Sequence, residues 1–235
     1  MKKLIIITCL SVLPLTSFAA EKMVMSKEQS KFGITGKFGT LGAGLDLTFK
    51  IHPKLNARLN ANGASSTYDE VDDGIAYKGD LKLSSIGALL DYHPFENGFR
   101  LSGGLYSNGN KIEGSSTDAQ NADIGDVNYN IVGTLNSNVG FESSAPYLGL
   151  GWGNAVNGYK NFNFSIDAGV LFQGSPNAQL CGTGTATPTA GGTAVDISND
   201  ATFLAELEKE ETNLNNDLKD FKYYPVISMG VSYNF

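Results

Sequence analysis

The chain has 235 residues, 17 basic against 24 acidic, with a formal net charge of -7, 41% hydrophobic and only 17% charged residues. An acidic balance of this size argues against nucleic acid as a partner. With 28 glycines and two cysteines, the composition suits an all-β chain rich in turns and leaves no material for a disulfide scaffold or a cysteine metal site.

Lys2 and Lys3 precede the apolar run Leu4 to Leu15, and "SFAA" puts Ser17 and Ala19 at the small-residue positions of a cleavage site. Residues 1–19 therefore read as a secretory signal peptide, followed by a periplasmic N-terminal segment at 20–30. Removing residues 1–19 takes two lysines and no acid, which leaves 15 basic against 24 acidic residues and a net charge of -9. Cys9 falls inside the signal without the small residue a lipoprotein site needs, so the exported chain keeps Cys181 alone. Beyond residue 20 no stretch approaches the roughly 18 to 20 apolar residues of a membrane helix.

From Phe32 onward the dominant signal is alternation with a period of two. Phe32, Ile34, Gly36 and Phe38 are apolar at even positions; Leu41, Ala43, Leu45, Leu47, Phe49 and Ile51 are apolar at odd ones. A tight hairpin at Gly39–Thr40, with glycine in the first central position of a type II′ turn, accounts for the slip; a bulge in one long strand is the alternative. Further strands are expected near 41–51, 55–67, 75–92, 99–108, 139–152, 162–173 and 223–235. The parity of 75–92 slips near Ser84–Ser85, so its inward face stays unassigned. Short connections (52–54, 93–98, 153–161) alternate with long polar ones (68–74, 109–138, 174–221).

Alternation alone also describes a soluble sandwich. The apolar faces, however, carry no charge, as expected where a charge at mid-bilayer costs about 2 to 4 kcal/mol. The opposite faces are biased to small residues that fit the narrow interior of a closed barrel. The expected fold is all-β: an eight-stranded up-and-down antiparallel transmembrane β-barrel over residues 31–235, with an amphipathic helix at about 199–220 in the last external loop, 174–221.

The stretches "ALLDYHPFENGFRLSGGLYSNGNK", "APYLGLGWGN", "FSIDAGVLFQGSP" and "DFKYYPVISMGVSYNF" resemble the small eight-stranded outer-membrane barrels of Gram-negative bacteria, the broad group of outer-membrane protein A, outer-membrane protein W and the opacity proteins. The resemblance implies an outer-membrane location and, as partners, outer-membrane lipid and lipopolysaccharide, the insertion machinery and periplasmic chaperones. It also implies that Phe235, with Tyr233, Val231 and Met229, is an assembly signal. No cofactor is implied, and the uncharged lipid face gives no reason to expect more than a monomer.

Residues facing the interior supply a candidate polar network of Asp46, Arg58, Arg100, Tyr147 and Asp167: Asp46 lies diagonal to Arg58 around the turn at 52–54, and Tyr147 opposes Asp167. In the last loop Leu204, Leu207, Leu214, Leu218 and Phe221 recur at three- and four-residue steps and form the apolar edge of the helix, with Ser198, Asn199 or Asp200 as its cap. That edge is expected over the barrel mouth or against a partner. His52 and His93 each precede proline in a turn at the end opposite the long loops, away from any outer-leaflet chemistry, so no catalytic residue is assigned. The acidic loops "YDEVDDG" and "TDAQNADIGD" lack the spacing of a calcium loop. The expected role is non-enzymatic, structural or surface-interacting. The alternatives are a narrow channel or carrier for small or apolar solutes and a lipid-modifying enzyme.

Overall fold

Alternating side chains and frequent glycine give strands that pair with their sequence neighbours until the sheet meets its own first strand. The computed structural model describes residues 30–235 apart from 73, 74, 96, 120 and 157–161; the expected signal peptide and the segment from 20 up to Ser30 lie outside the described residues. In chain order come β1 (Phe32–Gly39), β2 (Gly42–His52), β3 (Leu55–Asp72), β4 (Ile75–Tyr92), β5 (Phe99–Asn108), β6 (Lys111–Thr117), β7 (Ala122–Ile124), β8 (Val127–Gly140) and β9 (Ser144–Trp152). There follow β10 (Phe162–Phe172), β11 (Asn177–Pro188), β12 (Val195–Asp196), the helix α1 (Ala201–Leu218) and β13 (Tyr223–Asn234).

The barrel closes in the order β1-β2-β3-β4-β5-β9-β10-β13, with β13 returning antiparallel to β1 through pairs such as Ile34↔Tyr233 and Phe38↔Met229. These are the eight strands of an up-and-down barrel. The parity slip near residue 40 is a hairpin: Gly39 pairs with Gly42 around Thr40 and Leu41. Its left-handed residue is Gly42, at φ 93°, and not Gly39. The turn thus sits one residue later than a type II′ turn on Gly39 and has the glycine after it, as in a turn followed by a bulge.

Three strands pass the barrel rim. β6, β8 and β11 continue β5, β9 and β10 after breaks at 109–110, 141–143 and 173–176, and pair with one another and with the far half of β4. At the first break the Asn110 side chain accepts from Ser84 N–H at 3.0 Å, while Gly109 N–H donates to Ser84 O at 2.8 Å. The connections expected at 68–74 and 109–138 are therefore largely strand, with β3 and β4 paired out to Asp72↔Ile75, and 174–221 holds β11, β12 and α1. A sheet of five strands stands above one side of the barrel.

The slip near Ser84–Ser85 has a physical cause. β4 pairs with β3 without a break in register from Tyr92 to Ile75, so no strand slips. Within the barrel its outward residues Ile86, Leu90 and Tyr92 are exposed and apolar, while Ser85, Leu89 and Asp91 are buried. Above Ser84 the outward face carries Lys78, Asp80 and Lys82, and the inward face carries Tyr77 and Leu81. The same inversion occurs from Leu101 and Leu105 in β5 to Ile112 in β6, and from Leu148 and Leu150 in β9 to Tyr129, Ile131 and Leu135 in β8. The apolar side passes from outside to inside while the pleat continues.

The outer wall of the barrel is apolar and largely exposed, up to 68% at Phe38. Aromatic rings gather at its two ends. Phe32 stacks on Phe235 at 5.2 Å and Phe162 meets Tyr233 at 5.2 Å at the end with the short turns; Phe172 meets Tyr223 at 5.6 Å at the other. Ten residues separate Tyr223 from Tyr233, and at about 3.3 Å per residue with a tilt of about 40° this spans roughly 25 Å.

The interior is filled in two layers. Toward the short turns lie buried Thr35, Asp46, Arg58, Asp91, Arg100 and Asp167. Toward the rim Leu41, Leu89, Tyr106, Ala145, Tyr147, Leu171 and Val226 form an apolar cluster, with Tyr106 edge-on to Tyr147 at 5.7 Å. Glycines make room for these rings: a Cβ on Gly87 would lie 2.7 Å from the Tyr106 ring, and one on Gly169 would lie 2.7 Å from Cζ of Tyr147. A third cluster, with Ile124, Tyr129, Ile131, Ile197, Phe203 and Leu207, packs between α1 and the extension.

Candidate functional site

The inward faces of six strands, β1 to β5 and β10, bring their charges together around Arg58. Its guanidinium donates to Asp46 Oδ2 at 3.2 Å, to Asp91 Oδ1 at 2.8 Å and to Ser102 Oγ at 3.2 Å, and lies 3.6 Å from Asp167 Oδ2. Arg100 grips both oxygens of Asp167 at 2.8 Å through one nitrogen and donates to Gly153 O through the other. Lys37 Nζ completes the group at 3.1 Å from Asp46 Oδ1. Three cations thus face three carboxylates, all buried, so the cluster is neutral as a whole. Removing water from charges is costly, and the cost is offset here because each carboxylate has a hydrogen-bonded cation, and Asp46 and Asp91 each have a further donor. Ser102 Oγ donates to Asp91 at 2.5 Å and Asn60 donates to Asp46.

The network continues toward the short turns through Asn56, which donates to Asn154 Oδ1 at 3.1 Å and meets His93 Nε2 at 3.2 Å. Only 10 Å³ of cavity remains among these residues, about one water molecule. His93 is therefore a buried neighbour of the network and not a free turn residue.

Asp46, Arg58, Arg100 and Asp167 meet in this cluster, and Asp46 pairs with Asn60 across the β2–β3 ladder. Tyr147 does not join them. It pairs with Leu171, whereas Asp167 pairs with Gly151. The β9–β10 ladder begins at Trp152↔Ile166, leaving Phe162 to Ser165 paired with β13 only, and that offset moves Tyr147 up into the apolar layer. Two members were absent from the expected set. Lys37 lies in phase with Gly33 and Thr35 on β1 and was legible from that phase; Asp91 was hidden by the parity inversion of β4.

The helix occupies 201–218, with Asp200 as its cap: the carboxylate accepts from Thr202 N–H at 3.0 Å and Phe203 N–H at 2.9 Å. Its packed face differs from the expected edge. Phe203 is 1% exposed and Leu207 is buried, Leu214 and Leu218 are half-buried, Leu204 is 42% exposed, and Phe221 lies beyond the helix at 63%. The face is set by what lies beneath it, the extension and not the open barrel mouth. Glu206 accepts from Asp126 N–H at 2.8 Å and pairs with Lys209 at 2.7 Å. Lys209, with that amide, holds its carboxyl below the ordinary carboxylate value.

The same helix covers the free edge of β11. Asn215 accepts from Ala178 N–H at 2.8 Å and donates to Ala178 O at 3.0 Å; Glu211 accepts from Leu180 N–H at 3.0 Å. Farther along, Ile197 N–H donates to Gly184 O at 3.1 Å and β12 pairs with Thr185 and Ala186. An uncovered edge would offer these groups to another chain. On the outer face above the rim, Glu113 lies between Lys111 and Lys82, which push its carboxyl down to about 2.

Met229, Val231, Tyr233 and Phe235 all face outward and are exposed. Phe235 N–H donates to Phe32 O at 3.2 Å, so the last residue is held against the first strand. Among the described residues no group of three or more His, Cys, Asp or Glu side chains is arranged to hold a metal.

No protein-family model matches the chain, and no curated protein matches it. Solved structures do. CarO2 of Acinetobacter baumannii superposes with a TM-score of 0.56 at 20% identity, over 87% of this chain and 98% of that one. CarO of the same organism gives 0.55 at 20% identity, over 89% and 100%. A major outer membrane protein from Thermus thermophilus aligns at 0.45 and 15% identity, over 88% and 100%, too distant to carry weight. The likeness to the two Acinetobacter proteins is one of fold.

Proposed function

We propose that the chain is an outer-membrane β-barrel with a structural or surface-interaction role, and that it is neither an open conduit nor an enzyme. The observation that carries the membrane assignment is the inversion of the apolar side along unbroken strands. In water a strand buries its apolar face inward throughout; an outward apolar face is favoured only where the surroundings are themselves apolar. The switch from Ile86 to Lys82 on one face of β4 then marks the membrane boundary, with aromatic girdles at both edges of the band. In this orientation the short turns and both ends of the barrel sequence face the periplasm, and the helix-stapled extension faces outward, within reach of lipopolysaccharide. Delivery of such a chain calls for periplasmic chaperones and the insertion machinery, for which outward Met229, Val231, Tyr233 and Phe235 are the proposed signal.

The structural role is supported by an interior filled through both layers. The charge-balanced cluster leaves only 10 Å³ of cavity among its residues, and an aromatic layer lies above it. Single-channel recording on purified, folded protein tests this: a silent bilayer is expected, and steady unitary openings would contradict it and favour transport.

A further inference from the structure

Above the rim, α1 roofs a trough whose floor is the inner face of the extension. The cavity measures 430 Å³ and is lined mainly by apolar groups: Tyr68 and Tyr77 at one side, Leu135 and Leu180 below, Leu207 and Leu214 from the helix. Gly79 and Gly114 face each other across β4 and β6 in its floor. A Cβ on Gly79 would meet nothing nearer than Tyr68 O at 4.0 Å, so the absent side chain is empty space and not a packing necessity. From β3 to β11 the floor crosses five strands about 4.8 Å apart, some 19 Å in length. A second, more polar cavity of 530 Å³ shares Gly114, Ser137 and Leu180 with it.

We propose that this trough binds one small, elongated, uncharged apolar molecule. The trough's volume is that of a single turn of a helix about 10 Å across, about 420 Å³, so a helical segment does not seat in it. It suits a small ligand, whose sites run from about 300 to 1,000 Å³ and are mostly apolar. Charge narrows the class further. Asp123 and Glu210 line the trough, while Lys78 borders it from a strand position whose side chain points to the outward face, in a chain of net charge -7, and that balance disfavours an anionic ligand. The site lies outside the barrel interior, so it does not depend on whether the barrel conducts.

The test uses the full-length folded protein in phosphatidylcholine nanodiscs, with empty nanodiscs as the blank. The probe is N-phenyl-1-naphthylamine, uncharged, against 8-anilinonaphthalene-1-sulfonate, which carries the same rings and a sulfonate. Saturable one-to-one fluorescence enhancement by the uncharged probe is expected, with the anion bound at least about tenfold more weakly, the order a single unfavourable charge contact gives. Gly79→Leu, whose Cβ would meet nothing nearer than 4.0 Å, occupies the floor and is expected to abolish the enhancement; Leu214→Phe fills the same space from the roof and is expected to weaken it. Leu204→Glu, on the exposed side of the helix, leaves it unchanged. No saturable signal above the blank, a signal that survives filling in folded variants, or equal affinity for the anion would overturn the proposal.

Discussion

Arg58 contacts more carboxylates than any other cation of the buried cluster, and its environment fixes what its loss does. Truncation to alanine leaves Asp91 with Ser102 and without its cation, and Asp46 with Lys37 as its only cation. Removing one partner of a buried, hydrogen-bonded pair costs about 3 to 5 kcal/mol. Arg58→Ala is expected to lower the urea midpoint of the membrane-reconstituted protein accordingly, with Arg58→Lys in between because it keeps the charge and loses the fork. At Gly87 the argument is steric. Gly87→Val drives a branched side chain into Tyr106, where overpacking costs about 1 to 3 kcal/mol, and the loss is expected to shrink when Tyr106→Leu is added, measured as a double-mutant cycle.

The helix gives the element-scale lesson. Its existence was legible from the spacing of Leu204, Leu207, Leu214 and Leu218, but the buried stripe runs through Phe203, Glu206 and Leu207. Two acids, Glu206 and Glu210, face inward and accept from backbone amides of Asp126 and Gly125. Hydrophobicity cannot announce a carboxylate used in that way. The consequence is a pH dependence. The Glu206 carboxyl is held below its ordinary value of 4.5, chiefly by Lys209. Its contribution is therefore complete above about pH 4.5 and is lost as pH falls through the depressed folded value. Protection of the amides at Asp126 and over Phe203 to Leu207 is expected to fall, with exchange accelerating relative to its intrinsic rate, on acidification below that point. Glu206→Gln is expected to flatten the dependence; equal acceleration in both proteins would show that another group controls it.

At the scale of the whole molecule, eight strands, the hairpin near residue 40 and most of the charged interior were readable because the alternation from Phe32 to Ile51 and from Phe162 to Phe172 is strong. The extension was not. β6, β8 and β11 are rich in glycine, serine, threonine and asparagine, and their apolar side is opposite to that of the strands they prolong. Read with one rule throughout, such segments look like polar loops and β4 looks like a strand that slips. One continuous strand serving two surroundings removes both difficulties, and it makes a direct prediction. Single nitroxide labels at outward positions 80, 82, 84, 86, 88 and 90 of β4, in a Cys181→Ser background and in liposomes, report access to oxygen and to a water-soluble nickel reagent. Positions 86, 88 and 90 are expected to favour oxygen and 80 and 82 to favour the nickel reagent, with the crossover at Ser84. Uniform access of the nickel reagent along all six positions would contradict the membrane boundary and the barrel's proposed place in the envelope.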